Sequence, residues 1–496
     1  FNNPEYPKGV LCDALNMVYQ RDSEEPEKMR GFARLGTIDM GGSVTGLFDY
    51  AEGTELIATA TDGKVYKRTT GEFVQVTGGS GFSTTSTTRW NAWMFYGATS
   101  TANILVMTNG VDAPQFYTTS AGIGALGGSP PSLGNYPVPF VGRLWMAQGS
   151  TIYYSAANDC QLGTTPGGSV QVHRGDGDIT GMTVFAGNLI IFKRHSCYRI
   201  LPTSNITETM VREISHSTGC VSHKTIKEIN IGKGERIILG FLSEHGVQGI
   251  VPTSASGGFS IMHLSSPVQK ILDRRSGVPS NQTTFWADYN QSRSEYYCNY
   301  STGSGVPNEG LILNTARDNR PVRWTQHNIA NITAGGDYRS STGIIQLIGN
   351  TGGQVFQMHS GNDRGGAAYA GRIYTPSYSQ GSYDEMKEYG RVFVDARTEG
   401  TYPVLVRINV GRKDLPSPTG QGVNVTDFVA SGGWGVGLWG VELWGGSGQA
   451  GQHIRPHKVS RGYDIRLLIG TLDKNQWFKV CGATIQYENT AQTIAA

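Results

Sequence analysis

The sequence is poor in charge and has no run of like-charged residues. Charged side chains make up 16% of its 496 residues, against about 25% in an average soluble protein. Long surface helices and coiled coils need Glu, Lys and Arg, so this composition argues against both. The 41 basic residues nearly balance the 39 acidic ones, and no basic stripe is present. Tight binding of duplex DNA is therefore not expected, although a passive conduit for DNA stays open.

Cysteine and long apolar runs are also scarce. The six cysteines are spread along the chain without a Cys-x-x-Cys pair, which argues against a disulfide framework. They are expected to be mostly buried free thiols. Apolar runs fall well short of the ~18–20 residues that cross a bilayer as a helix, so no membrane-spanning segment is predicted.

Glycine and turn-forming residues are abundant instead. The chain has 68 glycines, which is about twice the usual share. Thr, Ser, Tyr and Asn are common as well. This composition is typical of many short strands joined by tight turns, and it predicts an all-β protein.

A hairpin pattern recurs seven times: an apolar strand, a polar turn that usually carries Gly, and a strand of alternating polarity. The copies lie at 55–68, 103–117, 143–155, 188–200, 236–250, 310–324 and 343–358. Successive turn centres are separated by 35–51 residues, except for one interval of 72. A period of this length with short strands is typical of β-propeller blades.

The hairpins predict how each blade is built. Their first strands are apolar on both faces, as expected of inner strands packed between neighbouring blades. Their second strands alternate and are expected to lie outside. The predicted fold is an irregular β-propeller of about seven blades, within a range of six to eight. The long interval can hold a further blade or an insertion.

The predicted domains are an N-terminal arm at 1–43, the propeller at 44–366 and a C-terminal domain at 367–496. Four alternating or apolar strands in the last part, at 391–395, 402–410, 464–469 and 478–487, predict a β-sandwich-like module.

A Trp/Gly-rich loop at 432–446 interrupts the predicted module. Trp434, Trp439 and Trp444 recur every five residues, a period that matches neither a helix face nor a strand face. Exposed Trp is costly unless a partner covers it, so these three residues are interface candidates. The alternative is that the three indoles pack onto their own domain.

Catalytic and metal-binding motifs are missing from the sequence. It has no nucleophile elbow, no phosphate-binding loop and no His-Glu-x-x-His pair. His216, Cys220 and His223 have a spacing compatible with metal ligation, but no adjacent fourth ligand completes a zinc site. We therefore predict no enzyme activity, no metal and no cofactor. Two carboxylates that converge in space would escape this search, so a glycosidase stays an alternative.

Several stretches resemble one family, the propeller-type tail nozzle proteins of short-tailed bacteriophages. These proteins are also called tail-hub, tail tubular protein B or packaged-DNA stabilisation proteins. Stretch 185–200, FAGNLIIFKRHSCYRI, resembles a blade hairpin of that family, and 218–229 with 240–251 resembles the next blade. The C-terminal strands at 461–470 and 478–488 resemble the family's closing strands.

The resemblance implies a structural virion protein of a phage tail. Such a subunit would form a hexameric ring below the portal and adaptor, line and close the DNA ejection channel, and contact fibre or needle proteins. Double-stranded DNA would pass without specific binding. The protein would be assembled in the host bacterial cytoplasm and reside in the virion tail.

A different class of function stays open beside the tail protein, namely a carbohydrate-binding, lectin-like propeller or a propeller glycosidase. In a lectin, aromatic residues such as Tyr153, Tyr154, Trp286 and Trp324 would stack on sugars. The turns differ from hairpin to hairpin, which disfavours repeated sugar sites.

Overall fold

We analysed a computed structural model of the chain. It describes residues 13–19, 23, 25–76, 91–96, 103–160, 167–202, 210–232, 236–253, 258–303, 305–315, 323–341, 343–379, 385–399, 404–411, 423–425, 449–454 and 460–489. Contacts between Cα atoms divide the chain into two compact units. One unit comprises residues 34–324 and 329–358, and the other comprises 1–33, 325–328 and 359–496.

Four short strands precede the repeats. They are β1 (Asp13–Leu15), β2 (Met17–Tyr19), β3 (Pro26–Lys28) and β4 (Phe32–Leu35). The division between the two units falls within β4, so that Arg34 and Leu35 belong to the larger unit.

The larger unit contains six four-stranded sheets in the described part of the chain, and a seventh group of four consecutive strands that is part of a nine-stranded sheet. The first three sheets are β5 (Val44–Tyr50), β6 (Glu55–Ala60), β7 (Val65–Thr69) and β8 (Glu72–Gln75); β9 (Asn91–Phe95), β10 (Ile104–Thr108), β11 (Gln115–Thr118) and β12 (Gly122–Ala125); and β13 (Asn135–Phe140), β14 (Arg143–Gln148), β15 (Thr151–Tyr154) and β16 (Gly168–Gln171).

The next two sheets are β17 (Ile179–Phe185), β18 (Asn188–Lys193), β19 (Cys197–Ile200) and β20 (Val211–Ser215); and β21 (Lys227–Ile231), β22 (Arg236–Ser243), β23 (Gly246–Thr253) and β24 (Gly258–His263). The sixth is β25 (Trp286–Asn290), β26 (Glu295–Tyr300), β27 (Glu309–Asn314) and β28 (Arg323–His327). The seventh is β29 (Ile332–Ser340), β30 (Gly343–Asn350) and β31 (Val355–Met358), with β4 as its fourth strand.

These sheets close into a ring. Strand β5 of the first sheet contacts both β9 of the second and β29 of the seventh, and β25 contacts β21 and β29. The fourth strand of the seventh sheet is β4, which comes from the N-terminal part of the chain and lies next to β31. The predicted all-β propeller is thus confirmed, with seven blades in the described residues.

The core lies between neighbouring blades, since a single sheet cannot bury both of its faces. In β6, Leu56 packs toward Leu347 of the seventh sheet, whereas the adjacent Ile57 packs toward Leu105 of the second. Successive side chains of a strand point to opposite faces, so a strand between two blades must be apolar at every position. This arrangement explains the continuous apolar runs of the repeats.

Each predicted hairpin is found: six occupy the second and third strands of their blades, and the hairpin at 310–324 occupies the third and fourth strands of its blade. Residues 55–68 form β6 and β7, and residues 188–200 form β18 and β19. The first strands of the hairpins are packed between neighbouring blades as expected, but the expectation that they are the innermost strands of their sheets is wrong. A further first strand lies nearer the axis, and its sequence, such as ITAGGDYRS in β29, lacks a regular apolar pattern.

The long interval between the fifth and sixth hairpins holds no additional blade in the described residues. It contains β24 to β26 of two ordinary blades and two short helices, α1 (Gln269–Leu272) and α2 (Pro279–Gln282). The 72-residue spacing therefore reflects a helical insertion between blades, together with a shift of the sixth hairpin by one strand within its blade.

The smaller unit is a β-sandwich. Its strands after the propeller are β32 (Gly371–Tyr374), β33 (Lys387–Thr398), β34 (Leu405–Gly411), β35 (Val423–Val425), β36 (Gln449–Ile454), β37 (Ser460–Gly462), β38 (Asp464–Thr471) and β39 (Phe478–Asn489). One sheet has the order β1-β32-β38-β34-β35, and the other has β2-β3-β39-β33-β36, with β37 beside β33.

The two sheets of the smaller unit enclose a common apolar core. Val406 and Leu467 from one sheet and Val394 and Phe478 from the other belong to the same buried cluster. The predicted C-terminal β-sandwich-like module is confirmed, and strands β1 to β3 from the N-terminal part of the chain complete its two sheets.

Candidate functional site

A cavity of about 600 Å³ lies at the centre of the propeller. First strands from six of the seven sheets line it, namely β5, β9, β17, β21, β25 and β29. Its lining includes the aromatic residues Phe48 and Trp93 and the charged residues Asp49, Glu228 and Asp337. Its volume is in the range of small-molecule sites.

An ion pair between a half-buried lysine and a buried carboxylate supports one wall of the cavity. The Lys227 Nζ atom lies 3.1 Å from Oδ1 of Asp288, whose side chain is completely buried. The other oxygen of Asp288 accepts a hydrogen bond of 2.7 Å from the Gln346 side-chain amide. These contacts compensate the buried Asp288 carboxylate, as a buried charge requires.

Asp337 shares this environment and holds its proton tightly. Burial and the negative charge of Asp288 raise the pKa of Asp337 to about 8, although Lys227 opposes that shift. Burial alone would lower the pKa of Lys227, but Asp288 and Asp337 raise it above its ordinary value. At neutral pH Asp337 is therefore largely protonated, beside the Lys227–Asp288 ion pair.

Two further carboxyl groups of the cavity have raised pKa values. Burial raises the pKa of Glu228. Burial also raises the pKa of Asp49, even though its carboxylate accepts a 2.7 Å hydrogen bond from the backbone of Gly53. Carboxyl groups that are partly buried but not fully paired with cations or hydrogen-bond donors occur in binding and catalytic sites, and also in structural networks.

Aromatic and cationic side chains meet within the same cavity. The Lys224 ammonium group lies 5.1 Å from the centre of the Phe48 ring. Phe48 belongs to the first sheet and Lys224 to the link before the fifth, so the two side chains approach one another from different blades. The Trp93 side chain of β9 is 36% exposed. The cavity thus offers aromatic surface next to carboxyl groups.

His223, which precedes Lys224, is held in the neutral form. Burial lowers its pKa to about 3, and Lys224 and Lys227 add to that effect. Its ring lies 4.8 Å from the ring of Tyr136. A neutral histidine with such a low pKa is not suited to exchange protons near pH 7.

The structure does not bring the possible metal ligands His216, Cys220 and His223 into a metal site. His216 is largely exposed and lies 3.3 Å from Glu213, whereas Cys220 is fully buried beside Thr225. Among the described residues, no group of three or more His, Cys, Asp or Glu side chains is positioned to hold a metal ion. The same residues include no helix long and apolar enough to cross a membrane.

The remaining residues named from the sequence are the three loop tryptophans and the aromatic residues considered for sugar stacking, of which Trp286 lines the cavity. Trp434, Trp439 and Trp444 lie outside the described residues. Of the aromatic residues considered for sugar stacking, Trp286 is buried and donates to the Ile332 carbonyl at 3.3 Å. Trp324 donates to the Leu264 carbonyl at 3.0 Å.

Sequence analysis missed the charged group of the cavity. Lys227, Asp288 and Asp337 are far apart in the chain and occupy the first strands of three blades. A faint signal existed, because a charged residue at the centre of a short buried strand, as in WADYN of β25, requires a partner.

Comparisons with known proteins give no family for the chain. No protein-family model and no curated protein matches it. An extracellular domain of a two-component-system protein from B. thetaiotaomicron is 10% identical with a TM-score of 0.42, and the alignment covers 70% of this chain and 45% of that one. The WD40 repeats of RRP9 are 8% identical with a TM-score of 0.40, covering 66% of this chain and 99% of theirs. The chain thus spans less than half of that extracellular domain, and the fold assignment rests on the sheet order itself.

Proposed function

We propose that the protein is a ring-forming subunit of a phage tail nozzle, which lines and closes the DNA ejection channel. The supporting observation is the place of the resembling stretches in the fold. Residues 185–200 cover β18 and β19, and 218–229 with 240–251 cover much of the fifth blade. Residues 461–470 and 478–488 lie on β38 and β39 of the sandwich. Each stretch thus includes β-strands of the fold, which supports the proposal.

The propeller axis is not the proposed path for DNA. Lys224 and Phe48 meet inside the axial cavity, whose volume suits a small molecule. In this proposal a duplex passes through the lumen of a ring of subunits instead. A near-neutral net charge of +2 suits such a lumen, since a strongly basic wall would retain phosphates.

The proposal also assigns partners and location. The ring would be hexameric, with portal-side adaptor proteins on one side and fibre or needle proteins on the other. Its place would be the virion tail, after assembly in the bacterial cytoplasm. In such a protein the function depends on oligomer geometry, because a closed ring needs complementary interfaces on both sides of every subunit.

The test is the mass and shape of the native assembly. The full chain would be examined by analytical ultracentrifugation over a wide concentration range, with and without portal-side proteins, and by electron microscopy. A closed ring of about six subunits, alone or with those partners, is expected. A strict monomer under all these conditions would refute the proposal, and a glycan array would then test the carbohydrate-binding alternative.

A further inference from the structure

The axial cavity is surrounded by more carboxyl groups than ammonium groups. Asp49, Glu228 and Asp337 line it and Asp288 lies behind its wall, whereas Lys224 and Lys227 are the cations of the lining. Lys227 is engaged by Asp288, and Lys224 lies over Phe48. The carboxyl groups of Asp49, Glu228 and Asp337 are therefore only partly compensated by cationic side chains of the protein.

The chain already places a cation on an aromatic face of this cavity. The Lys224 ammonium group lies 5.1 Å from the Phe48 ring centre, within the range of a cation–π contact. Trp93, a stronger cation–π partner than Phe, also lines the cavity and is 36% exposed. Aromatic faces beside carboxyl groups are the usual surroundings of bound ammonium groups.

We propose that the axial cavity binds a small organic cation of the alkylamine class. Its ammonium group or groups would pair with both Asp337 and Glu228, and its alkyl part would pack against Trp93 and Phe48. Lys224 would act as an internal competitor that occupies the Phe48 face when no ligand is bound. This site is separate from ring assembly, so either proposal can fail without the other.

Proton release should accompany binding. Asp337 is faced by Asp288, Lys227 and Asp49, and Asp49 is faced by Arg339 and Glu52. Glu228 has its pKa raised by burial alone. A bound ammonium group favours the ionised carboxyl groups, so it displaces protons and binds more tightly as the pH rises from 6 toward 8.

The experiment uses the full chain, putrescine as the probe and 1,4-butanediol as its uncharged counterpart. Isothermal titration calorimetry in two buffers of different ionisation enthalpy measures both affinity and proton release. Saturable binding of putrescine with proton release, and no binding of the diol, is expected. Absence of saturable putrescine binding, or equal binding of both compounds, would overturn the proposal.

Four variants locate the site. Asp337→Asn and Glu228→Gln should each weaken putrescine binding by about tenfold, the effect of losing about one charge contact. Glu213→Gln removes the same charge from the outer strand β20 and should leave binding unchanged. Lys224→Met should tighten binding at least about threefold, and such a gain cannot arise from misfolding. Equal losses in all carboxyl variants, or no gain with Lys224→Met, would contradict binding in the cavity.

Discussion

At the scale of single residues, Asp337 makes stability depend on pH. The folded protein raises its pKa to about 8, so Asp337 binds its proton more tightly folded than unfolded. Its contribution to stability is present below about pH 4 and is lost as the pH rises through 8. Asp337→Asn keeps a neutral hydrogen-bond donor at this position at every pH. The change in the free energy of unfolding that the substitution causes should therefore be more favourable at pH 9 than at pH 5, by about 1–2 kcal/mol.

Urea unfolding of both proteins at the two pH values measures this difference. Glu213→Gln, an exposed carboxyl change on β20, serves as the control and should show no such pH dependence. An Asp337→Asn effect of equal size at pH 5 and pH 9 would mean that Asp337 is already ionised in the folded protein.

Gly335 provides a second prediction, based on packing. A Cβ atom at this position would lie 2.2 Å from a ring carbon of Trp286, which packs from β25 onto β29. Gly335→Ala should reduce the free energy of unfolding by about 1–3 kcal/mol, because the indole must move. Gly482→Ala, also within a strand, meets nothing within 4 Å and should cost much less. Urea unfolding measures both variants. Similar losses of stability would show that the cost comes from replacing any glycine in a strand and not from the contact with Trp286.

At the scale of secondary-structure elements, the strands that could be predicted from the sequence are those with an apolar neighbour on both faces. Leu56 and Ile57 of β6 each face a neighbouring blade, so the strand is apolar throughout and easily recognised. The first strands have neighbouring blades on their faces and the axial cavity along one edge, so that the consecutive residues Gly335, Gly336 and Asp337 all line it. Asp288 and Asp337 sit in such strands, where local pattern cannot reveal which distant residues become partners.

The closing strand β4 is the element on which the seventh blade depends. Its residue Leu35 packs against the cluster that contains Leu56 and Leu347. Leu35→Ala should lower the free energy of unfolding by about 1–2 kcal/mol, since this side chain is half-buried. Val74→Ala, on the outer strand β8 of the first blade, is the control and should have little effect because Val74 is 51% exposed. Equal effects in urea unfolding would contradict a closing role for β4.

At the scale of the whole molecule, the repeat length predicted the architecture better than any motif predicted a site. Seven hairpins at a blade-like spacing are enough to indicate a propeller, because each blade needs neighbours on both faces. The order of the hairpins along the chain did not predict that β4 completes the seventh sheet, because β4 and β31 are far apart in the sequence. Long-range pairings of this kind depend on the closed ring and leave little local signal.

The Trp/Gly-rich loop belongs to the same scale, because its predicted role concerns other molecules. We predict that Trp434, Trp439 and Trp444 contribute to an interface of the assembled tail. Replacing all three with Ala should raise the concentration needed for assembly by about tenfold or more, because buried Trp residues dominate many interfaces. Replacement with Phe keeps aromatic area and should retain most of the assembly.

Sedimentation of the three proteins at matched concentrations, with and without portal-side partners, distinguishes the cases. Unchanged assembly of the Ala variant would favour the alternative that the indoles pack onto their own domain, and lower thermal stability of that variant would then be expected.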